Sequence, residues 1–283
     1  MSKITVRQIK EPDFSKGFSI RKIDTLLSEK DLVQQLHRHN FFFILFLEKG
    51  KGEHSIDFTS YPVDDYSVFF MRPGQVHQLT LNQGSKGYII QFNREFYTPI
   101  EEPVNFVLRK VSTKNHCPLS AEKFRKLLSK LDCFFEEYTE KKDRYKQVIK
   151  AYLETLFIEL VRQSKNPKEI ANNDNKYSQE QYEELLELLQ KHSVTQKKVT
   201  HYAEMMHLTT FQINKITKEI INKTCSQLIN EQIVLEAKRN LLATTNQVNQ
   251  IAFDLGFDDP SYFIRFFKKQ TGHTPEVFRQ NFK

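Results

Sequence analysis

Cysteine is scarce in this sequence, and the 3 cysteines are scattered over 283 residues. An odd, widely spaced set supplies neither a disulfide framework nor the paired spacing of a zinc site. The sequence therefore excludes a small disulfide-stapled scaffold and favours a reducing cytosol. The cysteines are Cys117, Cys133 and Cys225.

Long hydrophobic runs are also missing. The longest, residues 41–47, is far shorter than the roughly 20 residues that span a bilayer as a helix, and no secretory signal opens the chain. The net charge of +7 is modest for a nucleic-acid binder. We expect a cytoplasmic protein without a membrane partner, long enough to bury two hydrophobic cores.

Gly256 lies between two predicted helices. Apolar side chains recur at helical spacing before it, from about residue 248, and glycine directly after the last of them is a frequent helix stop. Asp259 and Pro260 then supply an N-cap and a first-turn proline for the next helix. A helix, a tight turn and a basic-polar helix predict a helix-turn-helix unit over about residues 248–270.

The chain contains this pattern twice, at an offset of 49 or 50 residues. The earlier copy covers about residues 200–220, and Thr209 and Gln212 predict a capping box at the start of its second helix. His207 takes the turn position of Gly256, and we interpret it as structural because histidine tolerates a positive φ better than a β-branched residue does.

Residues 250–257, 262–269 and 271–275 resemble the signature of the AraC/XylS family of bacterial transcription regulators. The resemblance covers about the last third of the chain. One departure is Gln247, where the family usually has a better N-cap such as serine. Independently of the family, two recognition-type helices on one rigid module can enter successive major grooves of B-DNA, about one turn apart.

Exposed side chains of the second helix in each unit are the candidate DNA contacts. Amide groups suit adenine edges, Arg and Lys suit guanine, an aromatic ring suits a thymine methyl group, and further lysines suit phosphate. The candidates for base contact are Phe211, Gln212, Asn214, Lys215, Ser261, Tyr262 and Arg265. The candidates for phosphate contact are Lys218, Lys268 and Lys269. The resemblance places every member of the base-contact set except Gln212 at base-facing positions of the family.

From about residue 36 to residue 92 the hydrophobic period becomes strand-like. The run 41–47 predicts a buried strand, and short apolar segments follow at roughly ten-residue spacing with turn residues between them. This pattern is typical of a β-sandwich or jelly roll. The sequence His37-Arg38-His39, the turn at 50–52 and residues 73–77 resemble the cupin-type effector domain of many AraC relatives.

A barrel interior rich in phenylalanine suits an apolar or aromatic small molecule. The candidate effector-binding residues are His37, His39, Phe41, Phe43 and His77. The three histidines could instead form a zinc-type site with an open position, or lie at strand ends in solvent. Phe43 and Ile44 occupy the places where metal-binding cupins carry a glutamate, so we assign no metal and no cofactor.

Two helical apolar stripes over about residues 120–162 predict an antiparallel helix pair, with Ser120 as the first N-cap. The resemblance implies that this pair mediates homodimerisation; packing only on the barrel and on each other is the alternative. Residues 163–178 are polar and predict a flexible linker. The predicted domains are therefore an effector and dimerisation domain, 1–162, and a DNA-binding domain, 179–283.

The expected fold class is α+β: a cupin-like barrel or jelly roll with a helix pair, followed by an all-α domain with two helix-turn-helix units. The expected function is a sequence-specific transcription regulator, not an enzyme. Its expected partners are double-stranded DNA, a small-molecule effector, RNA polymerase and a second copy of the chain, with location at the bacterial nucleoid when DNA is bound.

Three alternatives are weaker. A cupin-type metalloenzyme with a nucleic-acid-binding appendage lacks the metal-binding glutamate. A DNA-repair alkyl transferase, found beside related helix-turn-helix modules, needs a reactive zinc-bound cysteine cluster that is absent. A basic amphipathic surface for acidic membranes does not fit the short turns and helix caps.

Overall fold

The structure is a computed structural model. It describes residues 5–7, 17–27, 30–93, 95–97, 107–108, 111–112, 114–164 and 176–281. They fall into two compact units, one within Thr5–Pro167 and one within Lys168–Lys283. Most of the predicted linker, residues 165–175, lies outside the described residues.

Two five-stranded sheets form the N-terminal unit, in the orders β1-β3-β8-β5-β6 and β10-β7-β4-β9-β2. Strand β1 pairs parallel with β3, and the other described pairs are antiparallel. This arrangement confirms the predicted β-rich domain. The strands are β1 (Thr5–Arg7), β2 (Phe18–Lys22), β3 (Leu32–His39), β4 (Phe42–Lys49), β5 (Gly52–Ile56), β6 (Thr59–Val63), β7 (Ser67–Met71), β8 (Val76–Leu81), β9 (Lys86–Phe92) and β10 (His116–Pro118).

Strand β4 is buried on both faces, which explains its uninterrupted apolar run. Successive side chains of a strand point to opposite faces. Phe43 and Leu45 join the core between the two sheets, whereas Phe42 and Ile44 join a second core on the outer face of the same sheet. A central strand covered on both sides has no solvent-exposed face, so polar residues do not alternate with apolar ones along it.

The predicted helix pair covers that outer face. Helix α1 (Ala121–Glu140) and helix α2 (Tyr145–Ser164) pack against each other and against the sheet, and Ser120 caps α1 by accepting a hydrogen bond from the Lys123 N–H at 3.3 Å. Buried side chains such as Phe134 and Phe157 each contribute about 1.5–3 kcal/mol by leaving water. The apolar stripes of both helices are therefore buried within the N-terminal unit.

Both helices that flank the predicted linker extend further than the apolar pattern indicates. Helix α2 continues past residue 162, and Lys123 Nζ donates to the Gln163 carbonyl oxygen near its end at 3.1 Å. Helix α3 (Lys176–His192) begins before residue 179, and Ser178 Oγ in its first turn donates to the Glu219 carboxylate at 3.0 Å. Side-chain hydrogen bonds of this kind produce no hydrophobic periodicity in the sequence.

The C-terminal unit is helical, and its two helix-turn-helix units are α4–α5 and α7–α8, joined by α6. The predicted pair of units is therefore confirmed. None of the helices in the described parts of the chain is long and apolar enough to cross a bilayer. The remaining helices are α4 (Val199–Met205), α5 (Thr210–Ile221), α6 (Cys225–Ala243), α7 (Val248–Asp254), α8 (Pro260–Thr271) and α9 (Pro275–Asn281).

Local signals at the helix ends act as the sequence predicts. Thr209 Oγ1 accepts the Gln212 N–H at 3.2 Å, and the Gln212 side chain accepts the Thr209 N–H at 2.8 Å. Gly256 has φ +69° and His207 has φ +53°, so both turns use the left-handed conformation. Gln247 precedes α7 without a side-chain cap.

Candidate nucleic-acid interface and effector domain

Helix α8 presents its basic side to solvent. Ser261, Tyr262, Arg265, Lys268 and Lys269 are all exposed. Arg265 Nη2 lies 3.9 Å from Asp259 Oδ2, and an exposed pair at that distance is worth at most about 1 kcal/mol. The guanidinium group can therefore leave this carboxylate for a DNA base at little cost.

The opposite side of α8 is fixed by an aromatic cluster. The Phe263 and Phe267 side chains are fully buried, with ring centres 5.9 Å apart. Phe257 from the turn lies 5.2 Å from Phe263, and Phe278 of α9 lies 5.6 Å from Phe267. This packing sets the rotation of α8 about its own axis, which is why Arg265 points outward.

Helix α5, like α8, buries one side and exposes the other, but fewer of its polar groups are accessible to solvent. Phe211, Gln212, Lys215 and Lys218 are exposed, and the Phe211 side chain is 75% exposed. A phenylalanine so exposed contributes little to the core. Together with Tyr262, which is 57% exposed, it places one aromatic side chain on the solvent face of each recognition helix.

Two predicted base contacts on α5 already have partners within the protein. Asn214 is half-buried: its Oδ1 accepts the Cys225 N–H at 3.0 Å and its Nδ2 donates to the Thr210 carbonyl oxygen at 2.9 Å. The Gln212 Oε1 serves the capping box. Base contact by either amide stays a prediction, and a bidentate contact with adenine competes with these hydrogen bonds for the amide oxygen.

Two family models match the chain. One for a helix-turn-helix domain covers residues 202–281, and one for an AraC-like ligand-binding domain covers residues 28–189, which is more than half of the sequence. The chain belongs to the AraC family. It is thus an AraC-family transcription regulator with a ligand-binding N-terminal domain and a helix-turn-helix DNA-binding domain.

Individual relatives resemble this AraC-family chain at low identity. The bifunctional transcriptional activator/DNA repair enzyme AdaA of Bacillus subtilis (strain 168) is 35% identical over 28% of this chain, which spans 37% of AdaA's length. The transcriptional activator RhaS of Klebsiella pneumoniae (strain 342) is 21% identical over 94% of both chains. The crystal structure of ToxT from Vibrio cholerae O395 matches with a TM-score of 0.42 and 13% identity, over 93% of this chain and 97% of ToxT.

The five predicted effector-binding residues come together inside the N-terminal unit. His37 and His39 lie on β3, His77 lies opposite His37 on β8, and the His39 ring stacks on Phe41 at 4.1 Å and lies 5.7 Å from Phe43. All five are almost completely buried. Their assignment to an effector stays a prediction, and a ligand would have to enter a core that is closed to solvent.

A fourth histidine, His54 on β5, belongs to this cluster. His37 Nδ1 lies 2.7 Å from the Gln35 carbonyl oxygen, which can only accept, so this nitrogen carries the proton. His37 Nε2 then accepts from His77 Nε2 at 3.0 Å, and His77 Nδ1 accepts from His54 Nε2 at 3.0 Å. For neutral rings, this one backbone carbonyl fixes the tautomers of all three histidines.

His54 is the last ring in this series of hydrogen-bonded histidines. His54 Nδ1 is buried and finds no hydrogen-bond partner among the described residues. Burial lowers the pKa of His54 to about 3, and the positive charge that His39, His116 or His37 would carry if protonated lowers it as well. Strand alternation could have revealed His54, since it lies two residues before buried Ile56 on the same face.

The histidine geometry differs from the zinc-type alternative. That alternative consists of His37, His39 and His77, and both ring nitrogens of His77 lie at hydrogen-bond distance from other histidines, His37 and His54. Within the described ranges, no group of three or more His, Cys, Asp or Glu side chains is arranged to hold a metal ion. The cluster is a hydrogen-bonded chain.

A shallow cleft elsewhere in the same unit is open to solvent. It lies where the α1–α2 connection meets β2, and its floor is aromatic, with Phe18 and Phe96 stacked at 5.1 Å. Two lysines stand at its sides. The lining residues are Phe18, Phe96, Tyr138, Lys141, Tyr145, Lys146 and Ile149.

Proposed function

We propose that this AraC-family regulator binds a specific DNA sequence by placing α5 and α8 in successive major-groove segments. The observation that carries the proposal is the duplicated unit, in which each second helix buries one side and exposes aromatic and basic side chains on the other. Phe211 and Lys215 serve the first segment; Tyr262 and Arg265 serve the second. Lys218, Lys268 and Lys269 contact phosphate.

The charge of the C-terminal region supports selective rather than bulk electrostatic binding. Residues 193–283 contain twelve Lys or Arg against eight Asp or Glu. A small excess of this kind gives limited attraction to any duplex, so affinity depends on where the basic groups are placed.

The N-terminal unit responds to a small molecule that is apolar or aromatic, bound among the buried phenylalanines and histidines of the sheet core. Such a ligand acts by binding one arrangement of the protein more tightly than another. The regulator works by binding, without catalysis, in the bacterial cytoplasm and nucleoid. RNA polymerase is its partner at the promoter.

Homodimerisation is part of the proposal and rests on the family resemblance. The buried stripes of α1 and α2 already cover the sheet, so a dimer contact uses the outer faces of these helices. Val148, which belongs to the predicted stripe of α2, is exposed there.

The test is a fluorescence-anisotropy titration of the full-length protein against DNA upstream of its own and neighbouring genes. Random duplex is the control, and a salt series separates phosphate contacts from base contacts. Tight binding to one upstream sequence supports the proposal. Equal, weak and salt-sensitive binding to every duplex, with and without cell-extract metabolites, contradicts it.

Arg265→Ala is expected to cost about 1–3 kcal/mol of binding free energy at its base pair and to relax the preference there. The physical reason is the loss of a bidentate donor to a guanine edge. The measurement compares affinities for the selected sequence and for its three variants at that base pair. Equal losses on selected and random DNA would rule out a base-reading role.

Lys268→Ala is expected to weaken binding to all sequences alike and to reduce the slope of log affinity against log salt by about one unit, because one phosphate contact is lost. Lys146→Ala removes the same charge from the N-terminal unit and is the control. An unchanged slope for Lys268→Ala would show that this lysine does not contact the backbone.

A further inference from the structure

The loop between α3 and α4 carries a lysine that contacts the turn of the second helix-turn-helix unit. Lys197 Nζ donates hydrogen bonds to the Gly256 carbonyl oxygen and, at 3.1 Å, to the Val194 carbonyl oxygen. The same ammonium group lies 4.7 Å from the centre of the Phe257 ring. One side chain from before the first unit therefore reaches the backbone and the aromatic ring of the second.

The contact is close because the turn has no side chain. A Cβ atom at Gly256 would lie 2.5 Å from the Val194 carbonyl oxygen and 2.8 Å from Lys197 Nζ. The loop and the turn are thus close enough that a side chain at Gly256 would collide with the loop. A large relative shift of the two segments breaks the hydrogen bonds, since these bonds form only at short donor–acceptor distances.

The chemistry of the contact suits a cation. The Gly256 carbonyl follows the end of α7, where unpaired carbonyl oxygens concentrate negative charge, and the face of the Phe257 ring attracts an ammonium group. Burial lowers the pKa of Lys197, and Asp258 opposes that shift. A neutral side chain of the same length keeps the packing but loses both attractions.

Helix α6 is the covalent connection between the two helix-turn-helix units. The hydrogen bond between Lys197 and Gly256, 59 residues apart along the chain, adds a noncovalent one. A single connecting helix can bend and twist. A second attachment away from that helix closes the structure into a ring and restricts both motions. The separation of α5 and α8 then becomes a fixed property of the module.

We propose that Lys197 is a positioning residue that fixes the separation of the two recognition helices, and so the spacing between the two DNA segments that the protein accepts. The inference rests on the proposed DNA-binding function. It adds a determinant of specificity that touches no base.

The experiment begins with a sequence selected by the full-length protein from random duplexes. Affinities are then measured for that sequence and for versions with one base pair inserted or deleted between the two contacted segments. One base pair moves a segment by about 3.4 Å and rotates it by about 35°. A rigid module is expected to lose about tenfold or more in affinity on the altered spacings.

Lys197→Met keeps the side-chain length and removes the ammonium group. We expect it to bind the selected spacing more weakly and to lose only about threefold on the altered spacings, because the freed units adjust to the shifted segment. Lys198→Met is the matched control: it removes the same charge at the neighbouring exposed position and should keep the wild-type spacing penalty. Circular dichroism and equal binding of all three proteins to a duplex with one segment check that the units remain folded.

The outcomes separate the two ideas. If the wild-type protein selects no sequence, the proposed function fails. If it selects a sequence but Lys197→Met keeps the full spacing penalty, or weakens all duplexes by one common factor, the positioning role is overturned.

Discussion

Lowering the pH from 6.5 towards 3 is expected to destabilise the N-terminal unit by up to about 1 kcal/mol per pH unit through His54 alone. The folded unit holds His54 neutral, with a pKa of about 3, whereas the unfolded chain protonates it near 6.5. In that window the unfolded state binds more protons, so stability is present above pH 6.5 and is lost as the pH falls.

Amide hydrogen exchange of β4 in the full-length protein, corrected for the intrinsic pH dependence of exchange, measures this slope. His54→Gln keeps an N–H donor for His77 but does not titrate. Between pH 6.5 and 5 the slope of its unfolding free energy against pH should therefore be smaller, by the equivalent of nearly one bound proton. His273→Gln removes an exposed histidine of the other unit and should leave the slope of β4 unchanged. If His54→Gln retains the wild-type slope, acid sensitivity comes from other groups and the neutral histidine chain is not its cause.

The helix-turn-helix units could be predicted in detail because their signals are local. Thr209 and Gln212 are three residues apart, and Asp259 and Pro260 are adjacent, so each cap is visible in a short window of sequence. The left-handed turn at His207 followed from alignment with Gly256. The two units therefore needed no knowledge of tertiary contacts.

The roles of His54 and Asn214 depend on partners that are distant in sequence. His54 bonds to His77, 23 residues away, and Asn214 bonds to the Cys225 N–H, 11 residues away. Only the folded register of β5 on β8, or of α5 on α6, brings these atoms together. The exposed pattern of α5 made Asn214 look available for DNA for the same reason.

Strand β6 contains Pro62, a residue that argues against a strand in a sequence window. In the structure β6 is the outer strand of its sheet, and an edge strand tolerates a residue without an N–H donor. Whether a strand is central or at an edge is a property of the sheet order. The residue pattern within 59–63 therefore does not show whether this strand is central or at an edge.

Gly256→Ala is expected to destabilise the C-terminal unit by about 3 kcal/mol, from two causes. Alanine at a positive φ costs about 1–2 kcal/mol, and φ is +69° here. The remainder comes from overlap, because the new Cβ would lie 2.5 Å from the Val194 carbonyl oxygen. The expected difference is measured by hydrogen exchange of α7 and α8 in the full-length protein.

Gly272→Ala separates these causes. Gly272 also follows a helix and has φ +83°, but a Cβ there would meet nothing within 4 Å. It should therefore cost only the conformational part, about 1–2 kcal/mol. Equal losses for the two variants would mean that the loop at Val194 yields without cost. A larger loss at Gly256, accompanied by weaker binding to the selected DNA, would mean that close contact between loop and turn holds the second recognition helix in place.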